Sequence, residues 1–560
     1  MLEPCDAHHR LERARFHIAA SRGLKEDQIT ETAKFKRILR VLSHSTWCWR
    51  LVDLLFIFKV HQPYRLRENF FWERNMFRRK TKQELFDFYF DNSKNKEIFD
   101  RAAKKCYFPA NSILFDLIDR FKSERKRVKV SFSISGVFLE QCESFNPDLL
   151  ESFKRLSDTG CVEFLDMPYY HSLAALYPVR DEFMEQVRMH RQLMKDLFHS
   201  EPVAFENTEL IYNNAIAKVV DKMGFSAMFT EGVDRILKGR SPNYVYRAKG
   251  CERLKVLLRN FKLTDDVAFR FSVRSWSDWP LTADKYANWL AATQGQCVTI
   301  FPDYETFGEH HWPETGIHEF LKNLPLEIFK HENLSMSTPS EVLSRHRGEG
   351  EIDVGELGGT ISWADINRDT SGWLGNTMQW AYYTTSKELE PLAKESDDSE
   401  FLKLWRDLLT SDHLYYMFSA GGAPGEVHTY FSPYKSATDA FVNAQGVLLD
   451  FESKLRNFVC AANEPFLFYK GSGEENFTGI KAWSLVGFLH VIQTIDTGLI
   501  EFHNRKGDIE KWATLSLRDE EFGRRLERIR TSKVQGEELR RKLMVAVQSR
   551  LTEVEKPVLR

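Results

Sequence analysis

Three acids, two histidines and four aromatic rings crowd the twelve residues Phe301-Pro-Asp-Tyr-Glu-Thr-Phe-Gly-Glu-His-His-Trp312. The run just before them, Cys297-Val-Thr-Ile-Phe301, reads as a buried strand. Charge that begins where such a strand ends points to an α/β active site, because the strand ends of these folds open onto a crevice. A solvated loop also carries acids, but exposing Tyr304, Phe307 and Trp312 together is costly without a ligand or a partner.

Similar bursts follow other apolar runs: Val60-His-Gln-Pro-Tyr-Arg-Leu66, Val162-Glu-Phe-Leu-Asp-Met-Pro-Tyr-Tyr-His-Ser172, Ala204-Phe-Glu-Asn-Thr-Glu-Leu-Ile-Tyr-Asn-Asn214 and Arg274-Ser-Trp-Ser-Asp-Trp279. Two carboxylates from different strands, ringed by histidines and aromatics, suit glycoside hydrolysis. One acid is kept protonated for the leaving oxygen, and the other attacks or stabilises the anomeric carbon. Rings then stack on sugar faces while amide, guanidinium and imidazole groups hold hydroxyls. A metal reading would gather His61, His171, His310 and His311 with Asp303, but the spacing lacks the helical register of metal-binding histidines. Adjacent His310 and His311 would also point apart on an extended segment. The sequence therefore predicts neither a metal nor a cofactor.

The elements that must position these residues are short. Leu54–Val60, Val128–Ile134, Val162–Leu165, Val203–Phe205, Ala227–Thr230, Phe269–Ser272 and Val298–Phe301 have the length and residue types of strands, and amphipathic helical spacing recurs at 146–157, 180–198 and 213–223. Alternation of strand and helix predicts βαβ units and a parallel sheet. Seven strand candidates favour a distorted TIM-like barrel over an open sheet, with the strand ends converging on one mouth. Beyond about residue 340 strand signals fade, and Thr377–Leu389, Phe401–Tyr416 and Ser436–Leu455 read as an all-α bundle. Gly471-Ser-Gly-Glu-Glu reads as a linker before a charged helical tail whose longest helix is Arg518–Arg550. The expected organisation is thus an N-terminal extension over 1–50 (with a helix at 30–43), a barrel over 51–345, a helical domain over 346–458 and a helical region over 459–560.

A chain of 560 residues is too long for one ordinary core, and 42% apolar with 28% charged residues are globular values. A net charge of −2 argues against nucleic acid as the main partner. Eight scattered cysteines without CxxC spacing suit reduced thiols in a cytoplasm rather than a metal cluster or disulfide framework. Met1-Leu-Glu-Pro-Cys-Asp6 lacks the order of a signal peptide, and Leu54–Phe58 is far too short to span a bilayer. A cytoplasmic protein without a membrane or nucleic-acid partner is expected; the sequence does not speak to its oligomeric state.

His61-Gln-Pro, Glu163 to Ser172, Phe205 to Asn214, Asp303 to His310 and Asp369-Thr-Ser-Gly-Trp-Leu-Gly-Asn376 together resemble the five ordered sequence regions of glycoside hydrolase family 57, most closely its α-amylase branch, across about 55–455. The resemblance implies a retaining enzyme on a (β/α)7 barrel, with an adjoining helical domain completing the site. It implies Glu209 as nucleophile and Asp303 as general acid/base, their carboxyls about 5–5.5 Å apart. His61, Gln62, Glu163, His171, Glu305 and Asp369 would line the substrate subsites, with Trp276 and Trp373 as stacking platforms. It singles out Asp303 as the group with the raised pKa. From the residues themselves, Glu305 and Glu309 do not both point inward easily, so Glu309 is read as solvated, and His310 is read as orienting a carboxylate.

Three functions fit. The first is hydrolysis of α-1,4-glucans such as starch, glycogen or maltooligosaccharides. The second is 4-α-glucanotransfer through the same covalent glycosyl-enzyme. The third, which intact Glu209 and Asp303 disfavour, is a non-catalytic glucan-binding protein. The first fifty residues and those beyond about 460 lie outside the family pattern.

Overall fold

The computed structural model describes residues 51–73, 84–356, 359–364, 366–419 and 432–558, with side chains described up to 554. The chain divides into Met1–Leu51 and Val52–Arg560. The second unit is described below; the expected extension over 1–50 and its helix lie outside the described residues.

Ten strands build a mostly parallel sheet: β1 (Val52–Val60), β2 (Val130–Ile134), β3 (Val162–Phe164), β4 (Ala204–Glu206), β5 (Ala227–Glu231), β6 (Tyr246–Ala248), β7 (Lys255–Arg259), β8 (Cys297–Ile300), β9 (Leu334–Met336) and β10 (Glu351–Ile352). The central strand is β1, Val-Asp-Leu-Leu-Phe-Ile-Phe-Lys-Val, buried along its whole length. A parallel strand covered on both faces is nearly all apolar, as here. It pairs in parallel with β2 (Ile57 opposite Ser131), β8 (Leu54 opposite Val298) and β9 (Leu54 opposite Met336). The ladder continues from β2 to β3, and on the other side from β8 through β7 and β5 to β4. Between β3 and β4 only a bridge connects the chain, Asp166 opposite Phe205.

Alternation along β1 assigns its two faces. Leu55 and Ile57 join Leu165, Ala204, Phe229, Leu257, Phe301 and Val342 in one buried cluster, while Leu54, Phe56, Phe58 and Val60 pack into another with the surrounding helices. At the N-terminal end of the strand, buried Asp53 accepts from Ser337 Oγ at 2.6 Å and pairs with Arg345 and with His346 Nε2 at 2.7 Å. That end is fastened by ions; the C-terminal end is where chemistry collects.

Three expectations need correction. Phe269–Ser272 is not a strand. Helix Phe261–Ala268 ends there and Phe269 is 62% exposed. The strand that pairs with β5 and β8 is Lys255–Arg259, whose Val-Leu-Leu core is flanked by charges that mask it. Gly471-Ser-Gly-Glu-Glu is not a linker either: it forms the tip of an antiparallel hairpin between β11 (Ala461–Tyr469) and β12 (Phe477–Ser484). Hairpin residues Phe466, Phe468 and Ala482 share a core with the helices that follow, including Phe488, Trp512 and Leu543, so the C-terminal region is not all helical. The single helices expected over Phe401–Tyr416 and Arg518–Arg550 are each broken in two, at Thr410 and at Lys533 to Gln535. Helices Thr377–Glu388 and Ala437–Val459 agree with their expected positions.

Candidate active site

The C-terminal ends of β1, β4 and β8, with loops after β3 and β10, bring one cluster of polar groups together. Each segment reaches it for a local reason. After β4, Asn207 and Thr208 lead into Glu209 and Leu210, both left-handed at φ 57° and 52°. Non-glycine residues there cost about 1–3 kcal/mol each. The turn is held by Leu210 N on Asn207 O at 2.9 Å, by Asn207 Nδ2 on Ile211 O at 3.0 Å and by Thr230 Oγ1 on Leu210 O at 2.8 Å. The result turns the Glu209 carboxylate onto two donors, Trp363 Nε1 at 2.7 Å and Ser411 Oγ at 3.1 Å. His171 is also left-handed, at φ 51°.

After β8, Asp303 bridges to Lys59 of β1 and begins a single turn, Tyr304–Thr306. Tyr304 and Phe307 enter the aromatic core around Phe58 and Phe132, which fixes the segment from beneath. Gly308, at φ 138°, closes the turn against Lys105 O, where a Cβ would lie 2.0 Å away. Glu305 accepts from Tyr107 Oη and from Gln62 Nε2 at 3.3 Å, and Gln62 also takes Arg65 Nη2 at 3.0 Å.

Two imidazoles form the third wall. The His61 and His171 rings stack with centroids 4.0 Å apart and planes at 16°. His61 meets Ser135 Oγ at 2.7 Å through Nδ1 and Asp412 Oδ2 at 3.0 Å through Nε2. His171 Nδ1 meets Ser411 Oγ at 2.9 Å and lies 3.7 Å from Glu209 Oε1. The ligand atoms of His61, His171 and Asp412 lie within 4.8 Å of one another, the spacing of a cation site. The rings stack with their planes only 16° apart, however, which suits two ligands converging on one ion poorly, and His61 Nδ1 is taken by Ser135.

Burial and charge pull these groups in different directions. Burial raises the Glu209 carboxyl, Lys59 pulls it down, and Asp412 and Asp303 push it up again. Burial takes Asp303 to about 6, against the pull of Lys59 and Arg259. Glu305 rises to about 8, through burial first and then the nearby Asp303. The expectation that singled out Asp303 was therefore too narrow: Glu209 and Glu305 are raised as well. Asp412 goes the other way, since His61 and His413 outweigh burial and hold it below the usual carboxylate range. Burial, with His61 and Lys59 close by, takes His171 well below its ordinary value, so it is neutral.

The site thus gathers His61, Gln62, His171, Glu209, Asp303 and Glu305. Three expected residues lie elsewhere, and a fourth, Asp369, is engaged by its own segment. Glu163 sits on β3 and accepts from Ser340 N at 3.1 Å and Ser340 Oγ at 2.9 Å, at the start of helix Pro339–Arg345. That helix follows β9 near the N-terminal half of β1, away from the mouth. Trp373 is 2% exposed and packs on Tyr415, so it is core and not a platform. Trp276 turns its edge to Trp289 in the outer helical layer, and the freely exposed rings of its loop are Phe269 and Trp279. Asp369 accepts from Ser371 N at 2.9 Å, just ahead of helix Ser371–Leu374, whose N-cap is Thr370. Glu309 is not merely solvated either; it pairs with Arg101 Nε at 2.9 Å.

Five site residues escaped the sequence reading. Lys59 and Glu206 form a buried pair at 2.8 Å. Trp363 binds Glu209, and Ser411 and Asp412 arrive from the helical region. Lys59 had a signal, a charge inside an otherwise apolar strand. Glu206 was overshadowed by Glu209. Ser411 and Asp412 had none, because they read as part of a continuous helix. The break at Thr410, whose Oγ1 donates to Tyr170 O at 3.1 Å while Ser411 N donates to His171 O at 3.0 Å, delivers them.

Comparison with known proteins accords with this arrangement. Residues 55–355 match the model of Glycosyl hydrolase family 57. A Methanocaldococcus jannaschii protein provisionally named an alpha-amylase is 45% identical over 414 residues, covering 72% of this chain and 85% of that protein. An alpha-amylase of Pyrococcus horikoshii is 25% identical over 46% of this chain and 38% of its own length. A 4-alpha-glucanotransferase of Thermococcus litoralis is 24% identical over 46% of this chain and 37% of its own. In fold, the chain resembles a branching enzyme of Pyrococcus horikoshii at a TM-score of 0.53 and 15% identity, over 73% of this chain and 90% of that one.

Proposed function

The chain belongs to glycoside hydrolase family 57, and from that premise we propose that it cleaves α-1,4-glucans by a retaining mechanism with Glu209 as nucleophile and Asp303 as general acid/base. The observation that carries the reading is the pairing of these two carboxyls across Lys59. Each lies at the end of a different strand, each is desolvated, and Asp303 is among the charges acting on Glu209. Glu305 is the competing acid, but its Oε1 is already occupied by Tyr107 and Gln62, which suits holding a hydroxyl rather than donating to a leaving group.

In the first step a Glu209 oxygen attacks the anomeric carbon as the glycosidic bond breaks, and the Asp303 proton passes to the departing oxygen. In the second, Asp303, now ionised, takes a proton from the incoming water or sugar hydroxyl, whose oxygen displaces Glu209. His61, Gln62, His171 and Glu305 are placed to hold the sugar hydroxyls. The pairings of β1–β5, β7 and β8, with the bridge at Asp166, are read as a distorted seven-stranded barrel over 51–345. Residues 346–458 complete its mouth through Trp363, Ser411 and Asp412, and 459–560 form an accessory region. A cytoplasmic location belongs to the same proposal; among the described residues no helix is long and apolar enough to cross a membrane.

A second reading, glucan transfer, is favoured by the relative named 4-alpha-glucanotransferase. Incubation with maltoheptaose, followed by chromatography and reducing-end assay, separates the two. Shorter sugars with new reducing ends mean hydrolysis, longer sugars at constant reducing ends mean transfer, and an unchanged substrate removes both.

A further inference from the structure

Lys59 lies on the face of β1 that carries Asp53, Leu55 and Ile57, at the end of the strand opposite Asp53, and it is 2% exposed. A cation so placed is expensive unless paired. Its Nζ lies 2.8 Å from Glu206 Oε1, and the other Glu206 oxygen takes Ser133 Oγ at 2.5 Å, so the counter-ion is itself anchored from β2. Packing alone does not require the pair: an apolar side chain would continue the row of Leu55 and Ile57 below it. The backbone aligns Lys59 with the reacting segment, since Lys59 N donates to Pro302 O at 3.1 Å and the residue bridges to Asp303. Its Nζ also sits 4.7 Å from the Trp363 ring, and that ring's Nε1 donates to Glu209.

We propose that Lys59 is a positioning residue for the reaction, a fixed buried cation anchored by Glu206 that holds Glu209 as the attacking anion and faces Asp303 across the mouth. The proposal rests on the assignment of Glu209 and Asp303 above. The groups that face Lys59 come from every element around it: Glu206 and Glu209 from β4 and its turn, Asp303 from β8, neutral His171 from the loop after β3 and Trp363 from the loop after β10. Arg259 of β7 also faces Asp303, but it is bound to Glu231 at 2.9 Å and Asp265 at 2.6 Å, and Lys59 acts on Asp303 more strongly than it does. Burial opposes the Lys59 charge and the three carboxylates restore it, above the ordinary lysine value, so the cation persists across the working pH range. Because Lys59 pulls both Glu209 and Asp303 down, its loss lets both rise, and both limbs of the pH profile move to higher pH.

The test compares kcat/KM for maltoheptaose against pH in the wild type, Lys59→Arg, Lys59→Met and the double variant Lys59→Met with Glu206→Gln. The double variant removes both buried charges together and keeps the question open should Lys59→Met fail to fold. Lys59→Met is expected to move both limbs toward alkaline pH and the double variant the acid limb, each losing about tenfold more activity at pH 5 than at pH 7, while Lys59→Arg keeps the wild-type limbs. A structural role would lower amplitude or stability and leave the limbs in place, which would overturn the proposal. A second readout needs no turnover: carbodiimide labelling of Glu209 and Asp303, read by mass spectrometry against pH, is expected to persist to higher pH without Lys59. Unmoved labelling in an active enzyme refutes the role of Lys59. Shifted labelling in a protein inert toward maltoheptaose upholds the electrostatic role and refutes the glucan reading instead.

Discussion

The turn after β4 and the turn after β8 are built alike and used differently. Each carries two acids a few residues apart, Glu206 with Glu209 and Asp303 with Glu305. In each pair one acid is read as held within the wall and the other, Glu209 or Asp303, as the reacting acid, although Glu209 also accepts from Trp363 and Ser411. Glu206 is bound by a cation, Lys59, and by Ser133. Glu305 is bound by neutral donors, Tyr107 and Gln62. The backbones differ as well: the first turn places its free acid by a left-handed Glu209, the second by a glycine at Gly308 pressed against Lys105. Two acids in a short segment therefore do not amount to two catalysts. What separates them is the charge of whatever holds the other one, and a sequence does not display that.

The sharpest way to break the comparison is to remove the free acid of each turn. Glu209→Ala and Asp303→Ala are each expected to lose at least about a thousandfold in turnover of maltoheptaose while keeping the wild-type circular dichroism spectrum. They should differ in rescue. Azide restores turnover of an activated glycoside to both variants, but the glycosyl azide formed by Glu209→Ala has the inverted anomeric configuration and that formed by Asp303→Ala the retained one. The same anomer from both variants would erase the distinction between the turns.

Next come the bound acids. Glu206→Gln leaves a buried lysine without its counter-ion, so a loss of about 3–5 kcal/mol is expected in denaturant unfolding. Glu305, raised to about 8, is a neutral acid at pH 6, and Gln mimics that form. Glu305→Gln is therefore expected to stay within about threefold of wild-type kcat at pH 6, a small effect on the scale of a lost acid or base. Equal damage from both substitutions would mean that the two turns hold their second acid in the same way.

A smaller effect probes only the first turn. Trp363→Phe keeps a ring over Lys59 and deletes the donor 2.7 Å from Glu209. A hydrogen bond to an anion contributes about 1.5–3 kcal/mol, so kcat/KM should fall about tenfold or more. The bond holds Glu209 down, and its loss lets the carboxyl rise; the acid limb of the profile should move to higher pH while the alkaline limb stays.

Much of this was legible from residue order. Strand-like apolar runs placed β1, β2, β3, β4, β5 and β8 within a few residues, and the bursts that follow them located six of the site residues. What failed did so for physical reasons. Lys255–Arg259 hides its Val-Leu-Leu core between charges, whereas Phe269–Ser272 imitates the alternation of a strand although Phe269 is exposed and only Phe271 is buried. The hairpin tip at Gly471–Glu475 has the composition of a linker, and the pairing of the strands on either side, Tyr469 with Phe477 nearest the tip, makes it a turn. Trp373 and Asp369 fit a sugar site by type, but tertiary packing took one into the core and the other onto a helix end. Ser411 and Asp412 depend on a helix break that local periodicity cannot reveal.

Glu163 gives the smallest and most discriminating test, because the family resemblance placed it among the substrate ligands. Its position on β3 pairs with Ser131, whose neighbour on β1 is Ile57, two residues short of Lys59. Its carboxylate is spent on the N-terminal turn of helix Pro339–Arg345. Removing an acceptor of that kind costs about 1 kcal/mol of stability. Glu163→Ala is thus expected to lower the denaturation midpoint slightly and leave kcat and KM for maltoheptaose within about twofold, a change of under half a kcal/mol. A tenfold rise in KM would put Glu163 back among the substrate ligands. It would also mean that the sugar chain reaches well below the two turns, so that the mouth is deeper than their free acids suggest.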